Sequence, residues 1–548
     1  MTSLSLVAFA GILSAVVAHA GPLEKWIYCQ RNLQVDKSVD ELDELMRRGA
    51  AAGYTHLLLA DSKLARLGTL GSMSERYFRN AERVKQLAAQ HRIEIVPAIF
   101  HIGYSNDMLW HDPNLIEGLP VKHVPLVVQS GAAKLASAPV TLPGGDFLDL
   151  EKWSWKDDNV VPDQGTARVN ANGQNGRIVQ KLKLQPWRQY HVSVRIKTQD
   201  LKGAVPEIKA IPADGRVSVL NWDNLGTKPT QDWTTHHAVF NSLEYTDISL
   251  FFGTWGAASG VLWWDDATIE EVAFLNIIRR AGAPLAVARE AGTFLLEGRD
   301  FEALADPLMG TKPWAGSYDV YHAPPILKTK LPDGTRLRAS YYHTATIHDG
   351  QAMVCPSEPR TYELLRDEAR RVHGLWGAKK YMMSHDEVRV MNWCAACQAR
   401  NLTPGQQLAD NVKRCIQILR ETAPQARAHV WSDMFDPHHN ARKSKYYLVN
   451  GDLTGSWEGL DRKVVILPWY FGKRAESLQW FAGRGHPQII AGYYDGQPER
   501  LADWLSAAKG LPGLIGVMYT TWKNNYKDLE KFSEVAGGSN DQGQRKSQ

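Results

Sequence analysis

The feature that most restricts the fold is an alternation of apolar strand-like runs with amphipathic helical stripes at both ends of the chain, broken off in the middle. Near the start, residues 25–29 read as a strand, and Ser38-Val39-Asp40-Glu41 reads as a capping box opening a helix with Val39, Leu42 and Leu45 on one face. Gly53 stops that helix, residues 55–60 form a second buried strand, Tyr77, Ala81, Val84 and Ala88 mark the next stripe, and residues 93–100 a third strand. The rhythm resumes at Arg360. There Tyr362, Leu365, Ala369, Val372 and Trp376 share a helical face that leads into a strand beginning at Tyr381. Thr403-Pro404 caps a helix striped by Leu408, Val412, Cys415 and Leu419, and residues 428–431, 464–468, 489–493 and 514–520 follow as strands. That makes eight strands in strand-helix alternation, the pattern of a parallel (β/α)8 TIM barrel.

Between the two parts, residues 140–272 carry short alternating strands separated by Gly, Asp, Asn and Pro turns, among them 190–196, 218–222, 236–240, 249–252 and 261–269. This predicts an inserted all-β sandwich of jelly-roll type. The expected organisation is an export signal at 1–20, barrel at 21–106, a connecting segment at 107–139, the sandwich, connecting hairpins at 273–355, barrel again at 356–536, and a Gly- and Ser-rich tail without structure at 537–548. The signal reading rests on an apolar run ending in Ala18-His19-Ala20, which places cleavage after Ala20 and the protein outside the cytoplasm or in a periplasm. No later run reaches the length of a membrane span.

A net charge of +4 over 548 residues, with Lys and Arg scattered, makes no electrostatic case for nucleic acid or an anionic membrane. The 19 Trp exceed what a core needs, and flat aromatic faces suit sugar rings. Five cysteines are an odd number for an exported protein, so at least one is expected unpaired. The lone Cys-x-x-Cys at Cys394 and Cys397 lacks a second pair and reads as a local disulfide or two thiols. His438-His439 cannot readily chelate one ion and reads as a solvated loop, so no metal and no cofactor is expected.

Each expected strand ends in polar or aromatic residues, as an active site at the C-terminal mouth of a barrel requires. In order these are Gln30 and Arg31; Asp61; His101 and Tyr104; Asp386 and Glu387; Trp431 and Asp433; Trp469; Tyr493 and Asp495; and Trp522 and Asn524. The abrupt end of the Tyr381 run in Asp386-Glu387 is the centre of the set. Adjacent carboxylates in a partly dry mouth divide into a proton donor and an ionised anchor, the division that glycoside cleavage uses.

Pro356-Ser357-Glu358-Pro359, Ser384-His385-Asp386-Glu387-Val388, Trp431-Ser432-Asp433-Met434-Phe435 and Thr521-Trp522 together resemble the β-N-acetylhexosaminidases of glycoside hydrolase family 20, in particular the hexosaminidase D-like branch. The resemblance implies that Glu387 is the general acid/base, that Asp386 orients and charge-stabilises the 2-acetamido group of the substrate, and that the acetamido oxygen is the nucleophile. It places Tyr493 toward the acetamido carbonyl, Asp495 toward a ring hydroxyl and Arg31 and Asp61 at the far edge of the sugar. Trp431, Trp469 and Trp522 become its walls, with His101 and Asp433 among the substrate-binding set. Two departures stand out: Ser384-His385 replaces Gly-Gly, and Asn524 replaces a carboxylate. Within the insert, Gln180, Trp187, Tyr190, Asp232-Trp233-Thr234 and the run 260–266 resemble jelly-roll carbohydrate-binding modules. The expected partner is thus a glycan with a terminal N-acetylhexosamine. The residues alone also allow a retaining hydrolase of other sugars with a separate carboxylate nucleophile, or a non-catalytic glycan-binding protein on a barrel scaffold.

Overall fold

The computed structural model describes residues 22–214, 219–256 and 259–544, with side chains through Gly537. The expected export signal and Ser218 lie outside them. Eight parallel strands close a barrel: β1 (Glu24–Gln30), β2 (His56–Ala60), β3 (Glu94–Ile99), β4 (Lys380–Met383), β5 (Arg427–Trp431), β6 (Val465–Leu467), β7 (Gln488–Ile490) and β8 (Leu514–Tyr519), the last pairing back onto β1. All eight expected strands are present.

Strand side chains alternate between two environments. Trp26 and Tyr28, Val96 and Ala98, Val465 and Leu467, and Ile489 and Ala491 fill the barrel interior. The intervening Ile27, Cys29, Leu57 and Leu59 face outward and pack with helix residues such as Val39, Leu42 and Met46. Both faces are covered, so the strands read as continuous apolar runs, as parallel sheets do.

Helices α1 (Asp36–Ala51), α2 (Ser74–His91), α3 (Pro359–Trp376), α4 (Pro404–Thr422), α5 (Arg474–Gly483), α6 (Arg500–Ala508) and α7 (Leu529–Gln544) surround it. The stripes expected on α1, α2, α3 and α4 are buried, apart from Trp376, which is only partly covered. Thr403 caps α4 in a full capping box with Gln406. The box expected at Ser38 is not formed, because α1 begins earlier, at Asp36 behind Val35, and Ser38 lies inside its first turn. Helix α7 runs past Gly537 to Gln544, so the tail expected to lack structure starts as helix; extending an existing helix costs far less than starting one. Between β5 and β6 the chain makes only 3₁₀ turns at Asp433–Phe435 and Ser456–Gly459 and the short strand Leu448–Val449, which pairs with Val390–Met391.

The insertion after β3 is nested. Gly118–Gln129 and Arg336–Thr344, read from sequence as parts of two separate connectors, pair antiparallel at the centre of one five-stranded sheet with its own core of Val124, Leu126, Val128, Leu337 and Tyr341. Local pattern cannot show a pairing between segments some two hundred residues apart. The sandwich then leaves and re-enters through this sheet. Its layers are a five-stranded sheet centred on Gln189–Lys202 and Ser259–Val272 and a four-stranded sheet centred on Asp247–Thr254 and Gly176–Lys183. Trp264 is core between them, and Trp263 on the opposite face donates to Asp163. Tyr190 is core against Phe240, and Trp187 lies between Lys122 and Trp393, so neither is an exposed sugar platform. No helix among the described residues is long and apolar enough to cross a membrane.

Candidate active site

A cavity of about 840 Å³ opens at the C-terminal mouth, lined among others by Arg31, Asp61, His101, Asp386, Glu387, Trp431, Trp469 and Trp522. The sequence expectation thus brings residues from seven of the eight strand ends to one place.

The chain leaves β4 by alternation: Ser384 lines the cavity, His385 turns away to bond Asn411 of α4, and Asp386 returns to the cavity. Burial holds His385 neutral, with its pKa lowered to about 4. His385 therefore packs the turn against α4. Glu387 occupies the left-handed region at φ +50°, a conformation that costs on the order of 1 kcal/mol for a non-glycine residue and re-aims its side chain. The turn is bolted from several sides. Glu387 N–H donates to Asp433 Oδ2 at 3.0 Å, Gln351 Nε2 donates to the Glu387 carbonyl at 3.0 Å, and Gly103 packs so closely that a Cβ there would fall 1.9 Å from the Asp386 carbonyl oxygen.

The two carboxylates have different surroundings. Glu387 Oε2 accepts from the Tyr104 hydroxyl and pairs with Arg389 at 2.7 Å. Among the described residues no cation pairs with Asp386. Burial, and then the neighbouring Glu387 charge, pushes its pKa up to about 7. Asp386 is the residue expected to be the ionised anchor, and the fold penalises its charge. Asp433 is wholly buried behind the pair, and burial and the Asp386 charge hold it well above the carboxylate range. It orients Glu387 through the backbone and does not line the cavity.

Trp522 is the hub of the aromatic wall, with Tyr28, Trp431, Trp469 and Tyr493 at ring separations of 5.2, 5.8, 6.2 and 6.2 Å. Tyr493 stacks nearly parallel to it, and Asp495 accepts from the Thr521 hydroxyl at 2.7 Å and lies within reach of the Tyr493 hydroxyl, whose pKa that carboxylate pushes up to about 12. Behind Trp469 stands His439, stacked on Tyr470, so the His438-His439 stretch is a support of the wall and not a solvated loop. At the opposite rim, Arg31 donates to Asn524 Oδ1 at 2.6 Å and pairs with Glu41 at 2.9 Å. Asn524 is on the rim through Arg31, outside the cavity lining.

Asp61 lines the cavity, yet its two oxygens accept the Leu33 and Lys63 backbone amides, each at 3.0 Å. Its pKa is pushed up to about 6 by burial. His101 is held neutral by burial, its pKa lowered to about 4, and its Nδ1 has no hydrogen-bond partner among the described residues.

Sequence reasoning missed Tyr28, Ser384, Gln351, Asp349 and Arg389. Tyr28 and Ser384 were findable, since each lies two residues before a residue singled out, Gln30 and Asp386, and so points the same way. Gln351 and Asp349 come from a stretch read as connector, and no local pattern marks them. The Cys-x-x-Cys reading was incomplete. All five cysteines are unbonded and buried, and Cys355 and Glu117, from distant segments, stand against Cys394 and Cys397.

No protein-family model and no curated protein matches the sequence. Among solved structures, the chain aligns with the Streptomyces plicatus N-acetyl-β-hexosaminidase at 10% identity over 95% of this chain and 64% of that one, TM-score 0.36. The Vibrio harveyi GH20 exo-β-N-acetylglucosaminidase aligns at 14% identity over 34% of this chain and 33% of that one, TM-score 0.26. A family 16 carbohydrate-binding module aligns at 15% identity over 23% of this chain and 96% of that one, TM-score 0.19. The chain thus spans a third of the Vibrio protein's length and under two thirds of the Streptomyces protein's.

Proposed function

We propose that this chain is a glycoside hydrolase, an exo-acting β-N-acetylhexosaminidase that removes terminal 2-acetamido-2-deoxy-β-hexosides with retention. The observation that carries the reading is the pair Asp386-Glu387: adjacent carboxylates at one strand end, one clasped by Tyr104 and Arg389, the other dry against the aromatic wall. In this reading Glu387 delivers a proton to the leaving oxygen and later takes one from water, and Tyr104 and Arg389 hold it in place. Asp386 accepts the acetamido N–H, and its charge is drawn out when the acetamido oxygen attacks and positive charge grows on the resulting ring. An ionised Asp386 is costly in the free mouth and favourable beside that charge, which is selective stabilisation of the reacting state. Tyr28, Trp431, Trp469, Tyr493 and Trp522 would enclose the acetamido group and sugar face. Arg31 with Asn524, and Asp61, would meet the outer hydroxyls.

The experiment is a panel of aryl 2-acetamido and 2-hydroxy glycosides in gluco and galacto configuration. Cleavage confined to the 2-acetamido members, with tight inhibition by a thiazoline mimic of the cyclised intermediate, is expected. A second reading, a separate carboxylate nucleophile, has one candidate in Asp349, which lines the cavity and accepts from Asn224. Equal cleavage of 2-hydroxy substrates, or a mechanism-based label trapped on Asp349, would favour it. Export with cleavage after Ala20 belongs to the same proposal, and N-terminal sequencing of the mature protein at Gly21 tests it.

A further inference from the structure

We propose that Glu117, Cys355, Cys394 and Cys397 form a structural zinc site that locks the stem of the insertion onto the loop following the Asp386-Glu387 turn. All four are fully buried, and their ligand atoms lie within 4.8 Å of one another. The Cys355 sulfur is 3.5 Å from Cys394 and 3.6 Å from Cys397, and Glu117 Oε2 is 3.6 and 3.3 Å from the sulfurs of Cys394 and Cys397. These separations are far beyond the about 2.05 Å of a disulfide. They are the edges of a tetrahedron: zinc bonds of about 2.3 Å to sulfur and about 2.0–2.2 Å to oxygen put neighbouring ligand atoms roughly 3.5–3.8 Å apart.

The surroundings are built for such a site. Glu117 Oε1 accepts the Trp393 and Cys394 backbone amides, both at 2.8 Å, which orients the carboxylate and leaves Oε2 to the thiols. The Ser357 hydroxyl is 3.2 Å from the Cys397 sulfur. Arg280, paired with Glu358 and bonded to the Asn114 and Ile116 carbonyls, brings a cation to offset an anionic ligand set. The loop is seated closely, with Ala396 N–H on the Gly282 carbonyl at 3.0 Å. Three thiolates and one carboxylate with no open position select zinc over harder cations.

The ligands come from three places that the fold must hold together. Glu117 lies where the chain departs into the nested sheet, Cys355 where it returns before α3, and Cys394 and Cys397 a few residues beyond Glu387 and Arg389. Metal binding there would contribute directly to folding.

The test uses the full chain, purified without chelator. Elemental analysis is expected to find about one zinc per chain, with five thiols titrating after denaturation without reductant. Reconstitution of the reduced protein with Co²⁺ should give thiolate-to-cobalt charge-transfer bands and the visible d–d absorption of a tetrahedral site. Cys394→Ser and Cys355→Ser should lose the metal. Glu117→Gln, which keeps the shape, should fold and bind zinc at least about tenfold more weakly, since even the loss of an outer-shell partner costs that much. The site is refuted by a metal-free protein that yields no tetrahedral cobalt spectrum, by three titratable thiols instead of five, or by iron in zinc's place.

Discussion

Asp386 carries two testable consequences at the scale of the residue. Its carboxyl has a pKa of about 7 in the fold against 3.8 for the free group, so between those values the folded chain holds more protons than the unfolded one. Stability from this group is therefore present below about pH 4 and lost as pH rises through about 7. Asp386→Asn should stabilise the ligand-free protein, more at pH 8 than at pH 5, by roughly 1–3 kcal/mol at pH 8 after allowing for its partial exposure, read as a higher melting temperature. If ionised Asp386 is needed for reaction, kcat/KM should rise with pH through about 7, and the asparagine variant should be slow at every pH without that rising limb. Equal stability of the two proteins from pH 5 to 8 would show that the site does not penalise the charge. Glu387→Gln differs: it should depress kcat most for poor leaving groups and least for activated aryl groups. Tyr104→Phe, which removes a hydroxyl that touches Glu387, should share that leaving-group dependence at smaller amplitude.

At the scale of elements, the β4 turn depends on the loop after β3. Gly103→Ala would drive a methyl into the Asp386 carbonyl, and neither backbone can yield while Ser384 is bonded to Ile99 and Ile102. We expect loss of activity by at least about a hundredfold with a folded protein by circular dichroism, since a displacement of the order of 1 Å suffices for that. Full activity in this variant would mean that the turn is looser than its contacts. Thr403→Ala removes only one cap, and a loss of about 1 kcal/mol in unfolding free energy by denaturant titration, with unchanged kinetics, should separate scaffold from site.

At the scale of the whole molecule, the sandwich reaches the mouth. Trp222 and Asp223 pair with Ile347 and His348, Asn224 donates to Asp349 in the cavity wall, and Trp222 packs on Tyr447, which lies under Arg389, the partner of Glu387. Trp222→Ala should therefore lower kcat/KM while leaving the barrel folded. Residues 140–272 expressed alone should still fold, because the core of Val192, Ile196, Phe252 and Trp264 lies within them. An unfolded product by circular dichroism would show that the nested sheet is needed to complete the sandwich.

The eight barrel strands, the helix faces and the two carboxylates were legible in the sequence because each is written in local periodicity or in an abrupt change of polarity at a strand end. The alternation of Tyr28 with Gln30 and of Ser384 with Asp386 was legible too, to a reader who extended the period by one step. Tertiary structure alone decided what distance in the chain conceals. It decided that two connectors form one sheet, that Gln351 and Arg389 hold Glu387, that Glu41 and Asn524 share Arg31, and that Glu117 and Cys355 complete a cluster begun by Cys394 and Cys397. It also decided that burial raises the pKa of Asp386 and that Arg389 pairs with Glu387, since adjacency alone makes the two carboxylates equivalent. Local sequence encodes which face of a strand or helix is apolar. The partners a buried polar group finds depend on chain segments brought together only when the barrel closes and the insertion returns to it.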